Sequence, residues 1–317
     1  MPVETAGELI YGCMGLGGPW DATEYGAAEI DGAAAAIGAA RRIGITVFDH
    51  ADIYGGGKSE AVFGDVLARN EGLRGQIRIQ TKCGIRLGEG GLDAYYDLSR
   101  EAILERTAAS LARLRTDYVD LLILHRPDPL MDPGEVAAAL TFLHAEGMIG
   151  GVGVSNMSGA QIALLQDRLE LPIEANQLEM SLRQRAWLES GVLINHPEAA
   201  QYPFPHGTLE HCRRHGVGLQ AWGALGQGVY SGAPGEATDA ERATAELVAA
   251  LAGQKGTTPE AIVLGWLMRH PAGISPVIGS TNPDRIAACA DAPEQARLMA
   301  TTEWYSLYLS ARGGPIP

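Results

Sequence analysis

The sequence predicts an α/β protein of the (β/α)8, or TIM-barrel, class, folded as a single domain over residues 1–317. Three observations carry this. Short β-branched, apolar runs alternate with longer helical patterns from one end of the chain to the other. Eight such runs occur, and segments such as Val-Asp-Leu-Leu-Ile-Leu have almost no polar alternation, which marks parallel strands buried on both faces. The length of 317 residues suits one such barrel, and no repeat, low-complexity block or linker interrupts it. An open doubly wound sheet would tolerate the same alternation; eight strands, each followed by a helix, favour closure.

Taken in order, the strands are expected at Leu9–Cys13, Ile45–Phe48, Ile77–Thr81, Val119–Leu124, Gly151–Val154, Ile173–Gln177, Gly218–Trp222 and Ser275–Ile278. Helices between them announce their starts. Asp132-Pro133-Gly134-Glu135 places a capping acid first, proline at the first helical position and glutamate at the third, with Gly147 near the exit. Ser158-Gly159-Ala160-Gln161 forms a second capping box. Thr258-Pro259-Glu260 and Asn282-Pro283-Asp284 open two more helices, and His270-Pro271 closes the first of these. The stretch Leu188–His206, with Pro197, Pro203 and Pro205, reads as a long loop near the active-site face.

Composition narrows the function classes. Apolar residues make up 46% and charged residues 20%, a soluble globular balance. A formal charge of −14 argues against nucleic acid or an acidic membrane surface as partner. Cys13, Cys83, Cys212 and Cys289 are far apart with no CxxC pair, as expected of reduced thiols in a cytoplasmic protein. The first residues carry no basic segment followed by an apolar run, and no apolar stretch is long enough to span a bilayer.

In a parallel barrel the chemistry sits where strands end. The second strand ends Phe48-Asp49-His50 with Tyr54 shortly after, the third ends Thr81-Lys82, and the fourth ends Leu124-His125. Singly, each of these side chains is more often a cap, a packing group or a snorkelling stem. Jointly they make a chemical unit. A lysine buried at a strand end needs an anion, which Asp49 would supply. An ammonium beside a phenol favours phenolate and is expected to bring the Tyr54 pKa from about 10 toward the range of a general acid. His125 would donate a hydrogen bond to a carbonyl oxygen. Such a site delivers a proton and needs a hydride donor.

The segments Phe-Asp-His-Ala-Asp-Ile-Tyr-Gly (48–55), Thr-Lys-Cys-Gly (81–84), Leu-His-Arg-Pro-Asp-Pro (124–129), Gly-Val-Ser-Asn (153–156) and Asn-Gln-Leu-Glu (176–179) resemble the aldo-keto reductases. The likeness is greatest to the bacterial oxidoreductase branch of that family, and the motifs fall in family order along nearly the whole chain. The resemblance implies Tyr54 as general acid, with Asp49, Lys82 and His125 completing a tetrad. It implies that Ser155, Asn156 and Gln177 hold a nicotinamide carboxamide, that Trp222 stacks on the ring, and that Gly223, Leu225, Gly226 and Gly228 approach the pyrophosphate. Gly279, Ser280 and Arg285 would meet the 2′-phosphate of NADPH, where an arginine suits bidentate recognition and the following helix N-terminus adds to it. Gly279 stands where many relatives have lysine, and Cys289 where relatives often carry an adenine-contacting asparagine, so NADH stands as the alternative coenzyme. The chain ends soon after Trp304–Tyr308, so specificity for a small carbonyl substrate would rest on Trp20, Ile53 and the Leu188–His206 stretch.

Other signals are weaker. Asp52-Ile-Tyr-Gly-Gly-Gly57-Lys58-Ser59 imitates the tail of a phosphate-binding loop, but Asp52 stands where its first glycine should be; Lys58-Ser59 reads as a helix start. His196, His206, His211 and His215 cluster without an HExxH glutamate and read as solvated, so no metal is expected. No GxGxxG follows a strand. The leading expectation is reversible reduction of an aldehyde or ketone by NADPH. Two alternatives stand beside it: an NADPH-binding sensor that acts through a protein partner with little turnover, and a lyase using Lys82 as a Schiff base, which would need that lysine neutral.

Overall fold

The computed structural model describes residues 7–88, 91–232 and 237–317. The expectation drawn from the first residues of the chain falls largely on positions 1–6, outside the described residues. Among the described residues there are ten strands: β1 (Ile10–Gly12), β2 (Val47–Asp49), β3 (Arg78–Cys83), β4 (Ile85–Leu87), β5 (Ala94–Tyr96), β6 (Val119–Leu124), β7 (Ile149–Ser155), β8 (Ile173–Glu179), β9 (Gly218–Trp222) and β10 (Ser275–Ile278). Eight of them form a closed barrel in the order β1-β10-β9-β8-β7-β6-β3-β2, as the alternation predicts. Every expected strand is found. The additional antiparallel pair β4–β5 lies outside the barrel, with Ile85 opposite Tyr96 and Leu87 opposite Ala94.

The chain packs as two compact units. The first holds Ile10–Gln177 together with Gly279–Pro283. Its helices are α1 (Ala27–Arg42), α2 (Lys58–Arg69), α3 (Arg100–Leu114), α4 (Pro133–Ala145) and α5 (Gly159–Gln166). The start signals act as expected: Asp132 accepts from the amides of Gly134 and Glu135, and the Ser158 hydroxyl accepts from the Gln161 amide. Pairing is parallel, with Gly12 opposite Asp49, Asp49 opposite Gln80 and Lys82 opposite Ile123. Phe48, Ile79, Leu122, Ile123, Val152 and Val154 are all buried. α2 sits directly on the end of α3 because Gly64 has no side chain; a Cβ there would overlap the Arg113 carbonyl oxygen and come 2.9 Å from the Leu114 carbonyl carbon.

Among the described residues, the second unit comprises residues 7–9, Leu178–Ile278 and Asp284–Pro317. Its helices are α6 (Ala186–Val192), α7 (Thr208–His215), α8 (Asp239–Lys255), α9 (Pro259–Met268), α10 (Pro283–Ala287), α11 (Ala292–Leu298) and α12 (Thr301–Arg312). Trp266 of α9 and Trp304 of α12 stack at 5.1 Å, and each indole N–H donates to the other residue's carbonyl. The loop expected over Leu188–His206 is corrected here. α6 runs into it and a 3-10 turn occupies Pro197–Gln201. The cause is burial: Trp187 packs edge-on to Trp266 and His270, and buried Glu189 meets Arg312 at 3.3 Å. Pro197 begins the turn rather than breaking structure, because its fixed φ suits a first helical position.

Candidate active site

Asp49 is the last residue of β2 and is buried. Both of its carboxylate oxygens lie 2.7 Å from the Lys82 Nζ on neighbouring β3. The ammonium also donates to the His50 carbonyl at 2.8 Å and to the Tyr54 phenol oxygen at 3.2 Å. The Tyr54 and His125 rings meet edge to face at 6.1 Å. The four residues singled out at strand ends therefore converge on one point of the first unit. Lys82 is only 1% exposed, while Tyr54 and His125 are half-buried, so the phenol and imidazole face the accessible side of a buried charge pair.

Two more side chains complete the anion's surroundings. Gln80 Nε2 donates to Asp49 Oδ1 at 2.6 Å and Gln177 Nε2 to the same oxygen at 3.0 Å. Gln80 was not singled out from sequence. Strand alternation is the signal that finds it, since residues 80 and 82 of one strand share a face. Thr81, on the opposite face, donates to buried Glu60 of α2 at 2.5 Å.

The electrostatics follow from burial and one close pair. Burial pulls the Lys82 ammonium down, but Asp49 and Tyr54 outweigh it and hold the group above its ordinary value. Lys82 is thus a cation at neutral pH, unsuited to Schiff-base chemistry. Burial raises the Tyr54 phenol, Lys82 opposes the rise and Asp49 adds to it; the net shift is upward. This corrects the expectation of a lowered phenol: desolvation exceeds the pull of the neighbouring cation. Tyr54 is therefore a protonated donor across the working range. Burial, then Lys82 and Arg126, lower His125 to about 3, so its imidazole is neutral. His125 Nδ1 has no hydrogen-bond partner among the described residues.

Local sequence explains how the phenol is presented. After β2 the chain makes a tight turn, and Gly55, Gly56 and Gly57 adopt φ of 58°, 67° and 93°. Side chains rarely tolerate three consecutive left-handed positions, so the glycines let Tyr54 turn back over Lys82 before α2 starts at Lys58. Lys58 is not a phosphate ligand: its Nζ donates to the carbonyls of Pro19 and Ala22. Beneath the turn, Ser59 donates to the Cys13 carbonyl at 2.7 Å.

The residues expected at a coenzyme divide between the units. In the first, Ser155 donates to the Gln177 carbonyl at 2.9 Å, and Asn156, at φ 57°, donates to Ser155 Oγ at 2.7 Å. These three polar residues thus form one connected group, joined to Asp49 through Gln177. Ser280 accepts from the Asn282 amide at 3.2 Å and its carbonyl accepts from Tyr11. Gly279 is exposed, with nothing within 4 Å of where a Cβ would stand. In the second, Trp222 ends β9 half-buried, and Gly223, Gly226, Gln227 and Gly228 all have positive φ. Leu225 lies between them, half-buried. Arg285 is exposed on α10, which is only five residues long. Of the expected substrate residues, Trp20 is 52% exposed and Ile53, beside Tyr54, is half-buried. His211 and His215 lie side by side at 4.5 Å, and among the described residues no three His, Cys, Asp or Glu side chains are grouped to hold a metal. Nor is any described helix long and apolar enough to cross a membrane.

Comparison with known proteins gives the family. Residues 8–301 match the model of the aldo/keto reductase family. A 6-dehydroglucose reductase of Agrobacterium fabrum is 36% identical over 310 residues, covering 96% of this chain and 94% of that protein. The uncharacterized oxidoreductase YcsN of Bacillus subtilis is 36% identical, covering 86% of each chain. Oxidoreductase YdhF of Escherichia coli is 34% identical, covering 87% and 86%. Among solved structures, a glycerol dehydrogenase of Gluconobacter oxydans superposes with a TM-score of 0.77 at 22% identity over 98% of this chain and 93% of that one, a likeness of fold. With a family match over nearly its whole length and a closed eight-stranded parallel barrel, the chain belongs to the aldo/keto reductase family of nicotinamide-dependent oxidoreductases.

Proposed function

We propose that the protein is a single-domain enzyme that reduces an aldehyde or ketone to the alcohol, reversibly, with Tyr54 as the general acid and NADPH as the preferred coenzyme. The observation that carries the reading is the Lys82 ammonium, 2.7 Å from both Asp49 oxygens and 3.2 Å from the Tyr54 phenol. When bound, the coenzyme supplies the hydride. The chain's own residues manage the proton. A neutral phenol donates its O–H to the carbonyl oxygen as negative charge grows there, and the adjacent cation stabilises the phenolate left behind. Asp49 keeps that cation charged in a buried setting. Neutral His125, against the Tyr54 ring, orients the carbonyl by hydrogen bonding rather than by charge.

The donor set fits a reduced dinucleotide. Ser155, Asn156 and Gln177 offer amide and hydroxyl groups beside the tetrad, as a carboxamide requires. Ser280, with open space at Gly279, is assigned to the 2′-phosphate. Trp222, Gly223, Leu225, Gly226, Gly228 and Arg285 keep the coenzyme roles implied by the family resemblance. Trp20 and Ile53 are assigned to the substrate side.

A panel of carbonyl compounds, read by loss of NADPH and of NADH absorbance in parallel, tests the proposal. It should include a 6-oxo sugar, because relatives from Agrobacterium fabrum and Novosphingobium aromaticivorans are 6-dehydroglucose reductases, each 36% identical. Turnover with some member, faster with NADPH, is the expected result. Tight coenzyme binding with no turnover on any carbonyl would overturn the reading in favour of a coenzyme-sensing protein.

A further inference from the structure

Lys58 is the first residue of α2, where the helix dipole disfavours a cation, and it is only 6% exposed. Neither helix formation nor hydration accounts for a lysine there. Its ammonium donates to two backbone carbonyls, that of Pro19 at 2.6 Å and that of Ala22. These carbonyls bracket one turn: the Ala22 amide donates to the Pro19 carbonyl at 3.3 Å, which leaves Trp20 and Asp21 at the tip. Two glycines bring the neighbouring chain down onto the lysine. A Cβ at Gly17, whose φ is 86°, would stand 2.9 Å from Lys58 Cβ. A Cβ at Gly55, the residue after Tyr54, would stand 3.5 Å from Lys58 Cε. The lysine stem therefore lies along the turn that presents the phenol, and its ammonium holds the turn that carries the exposed indole. Further on, Tyr25 donates to Asp65 of α2 at 2.9 Å, which ties down the end of this segment.

We infer that Lys58 is a positioning residue for substrate: by clasping both ends of the Pro19–Ala22 turn it keeps Trp20 beside the Tyr54 turn, and so favours carbonyl compounds that carry a ring over short-chain ones. The inference rests on the proposed function, with Tyr54 as the acid and Trp20 on the substrate side. An indole presents a broad apolar face, and a flat or C–H-rich ring covers more of it than a short chain does. That contact strengthens binding only when the indole is held in place beforehand, because ordering a loose turn at each binding event would subtract from affinity. A clasp on backbone carbonyls meets this need. It fixes where the Trp20 side chain leaves the backbone and leaves the indole itself free to meet the ligand, so Lys58 acts through Trp20 without touching substrate.

Lys58→Met keeps an unbranched stem and deletes the donors. Lys58→Gln, too short to reach both carbonyls, gives a second variant should the first fold poorly, and thermal unfolding confirms that each is folded. The first measurement needs no turnover. Amide hydrogen exchange of residues 17–23 should run roughly tenfold faster in either variant than in the wild type, while α2 keeps its protection. Turnover is then compared on benzaldehyde and propanal with NADPH. Loss of the clasp should raise KM for benzaldehyde roughly tenfold at unchanged kcat, and should move KM for propanal by less than about twofold. The dissociation constant for NADPH should not change. In a Trp20→Ala background the Lys58 substitution should add nothing further to KM, because its effect passes through that side chain. A general structural loss would instead lower turnover on both aldehydes alike. Unchanged exchange in both variants would defeat the inference, and so would equal rises of KM for the two aldehydes. Faster exchange in the variants, with a wild type that reduces no carbonyl, would leave the clasp in place and sink the assigned activity instead.

Discussion

Replacing Asp49 with asparagine removes the anion from the buried pair while nearly preserving its shape. In the native protein Lys82 Nζ sits 2.7 Å from both carboxylate oxygens, and Lys82 is 1% exposed, so water cannot replace the lost charge. Breaking a buried pair by removing one partner costs about 3–5 kcal/mol, a large share of a typical stability of about 5–15 kcal/mol. The pH dependence gives a sharper test. With Asp49 present, Lys82 is more basic than in the unfolded chain. Its contribution is then complete below the unfolded value of about 10.4 and is lost only as pH rises through the folded one. Without Asp49, the downward pull of burial dominates and the folded pKa drops below the unfolded value. The variant should then gain stability as pH rises between about 7 and 9, by up to about 1.4 kcal/mol per pH unit, while Lys82 gives the wild type no slope there. Urea unfolding of both proteins across this range measures the difference. A loss below about 1 kcal/mol with no added pH dependence would refute the claim that Asp49 holds the ammonium charged.

Three further outcomes follow from particular contacts. Gly64→Ala drives a methyl group into the end of α3 and should cost about 1–3 kcal/mol in chemical unfolding; an unchanged midpoint would contradict the close approach of the two helices. Asp132→Ala removes the side chain that caps α4 and should cost about 0.5–2 kcal/mol by the same measurement, with no effect meaning that the cap is idle. Burial lowers His50 and His125 to about 3 and His270 to about 4. Their neutral forms contribute stability that is complete above about pH 6.5 and is lost as pH falls toward those values. Thermal unfolding should move to lower temperature between about pH 6.5 and pH 4, and a flat profile would show that these rings are not buried neutral.

The barrel was legible because its strands are buried on both faces and so appear as unbroken apolar runs. Val119–Leu124, Gly218–Trp222 and Ser275–Ile278 match their expected bounds. Edges drifted where polar residues carry the pairing onward, as at Lys82 and Cys83 of β3 and Ser155 of β7. The hairpin β4–β5 escaped notice because each strand has three residues, too few to display a period. The tetrad was readable from strand ends, since closure brings those ends together whatever lies between them in sequence. The Tyr54 titration was not. Sequence places a cation near the phenol, but the larger effect is desolvation, which depends on packing from segments far away. For the same reason nothing in the sequence couples Asp52 with Arg106, or Glu60 with Arg113, pairs separated by more than fifty positions and joined only when the turn after β2 and the helix α2 pack against α3.

The account turns on a phenol donating its proton under the influence of a buried ammonium, and Tyr54→Phe addresses it most directly. The substitution deletes one hydroxyl and leaves the ring against His125 in place. Steady-state reduction of the best carbonyl from the panel should fall by roughly 10²–10⁴, while fluorescence titration with NADPH gives an unchanged dissociation constant. Turnover within a few-fold of wild type would contradict the account, because the proton would then reach the product oxygen by another route.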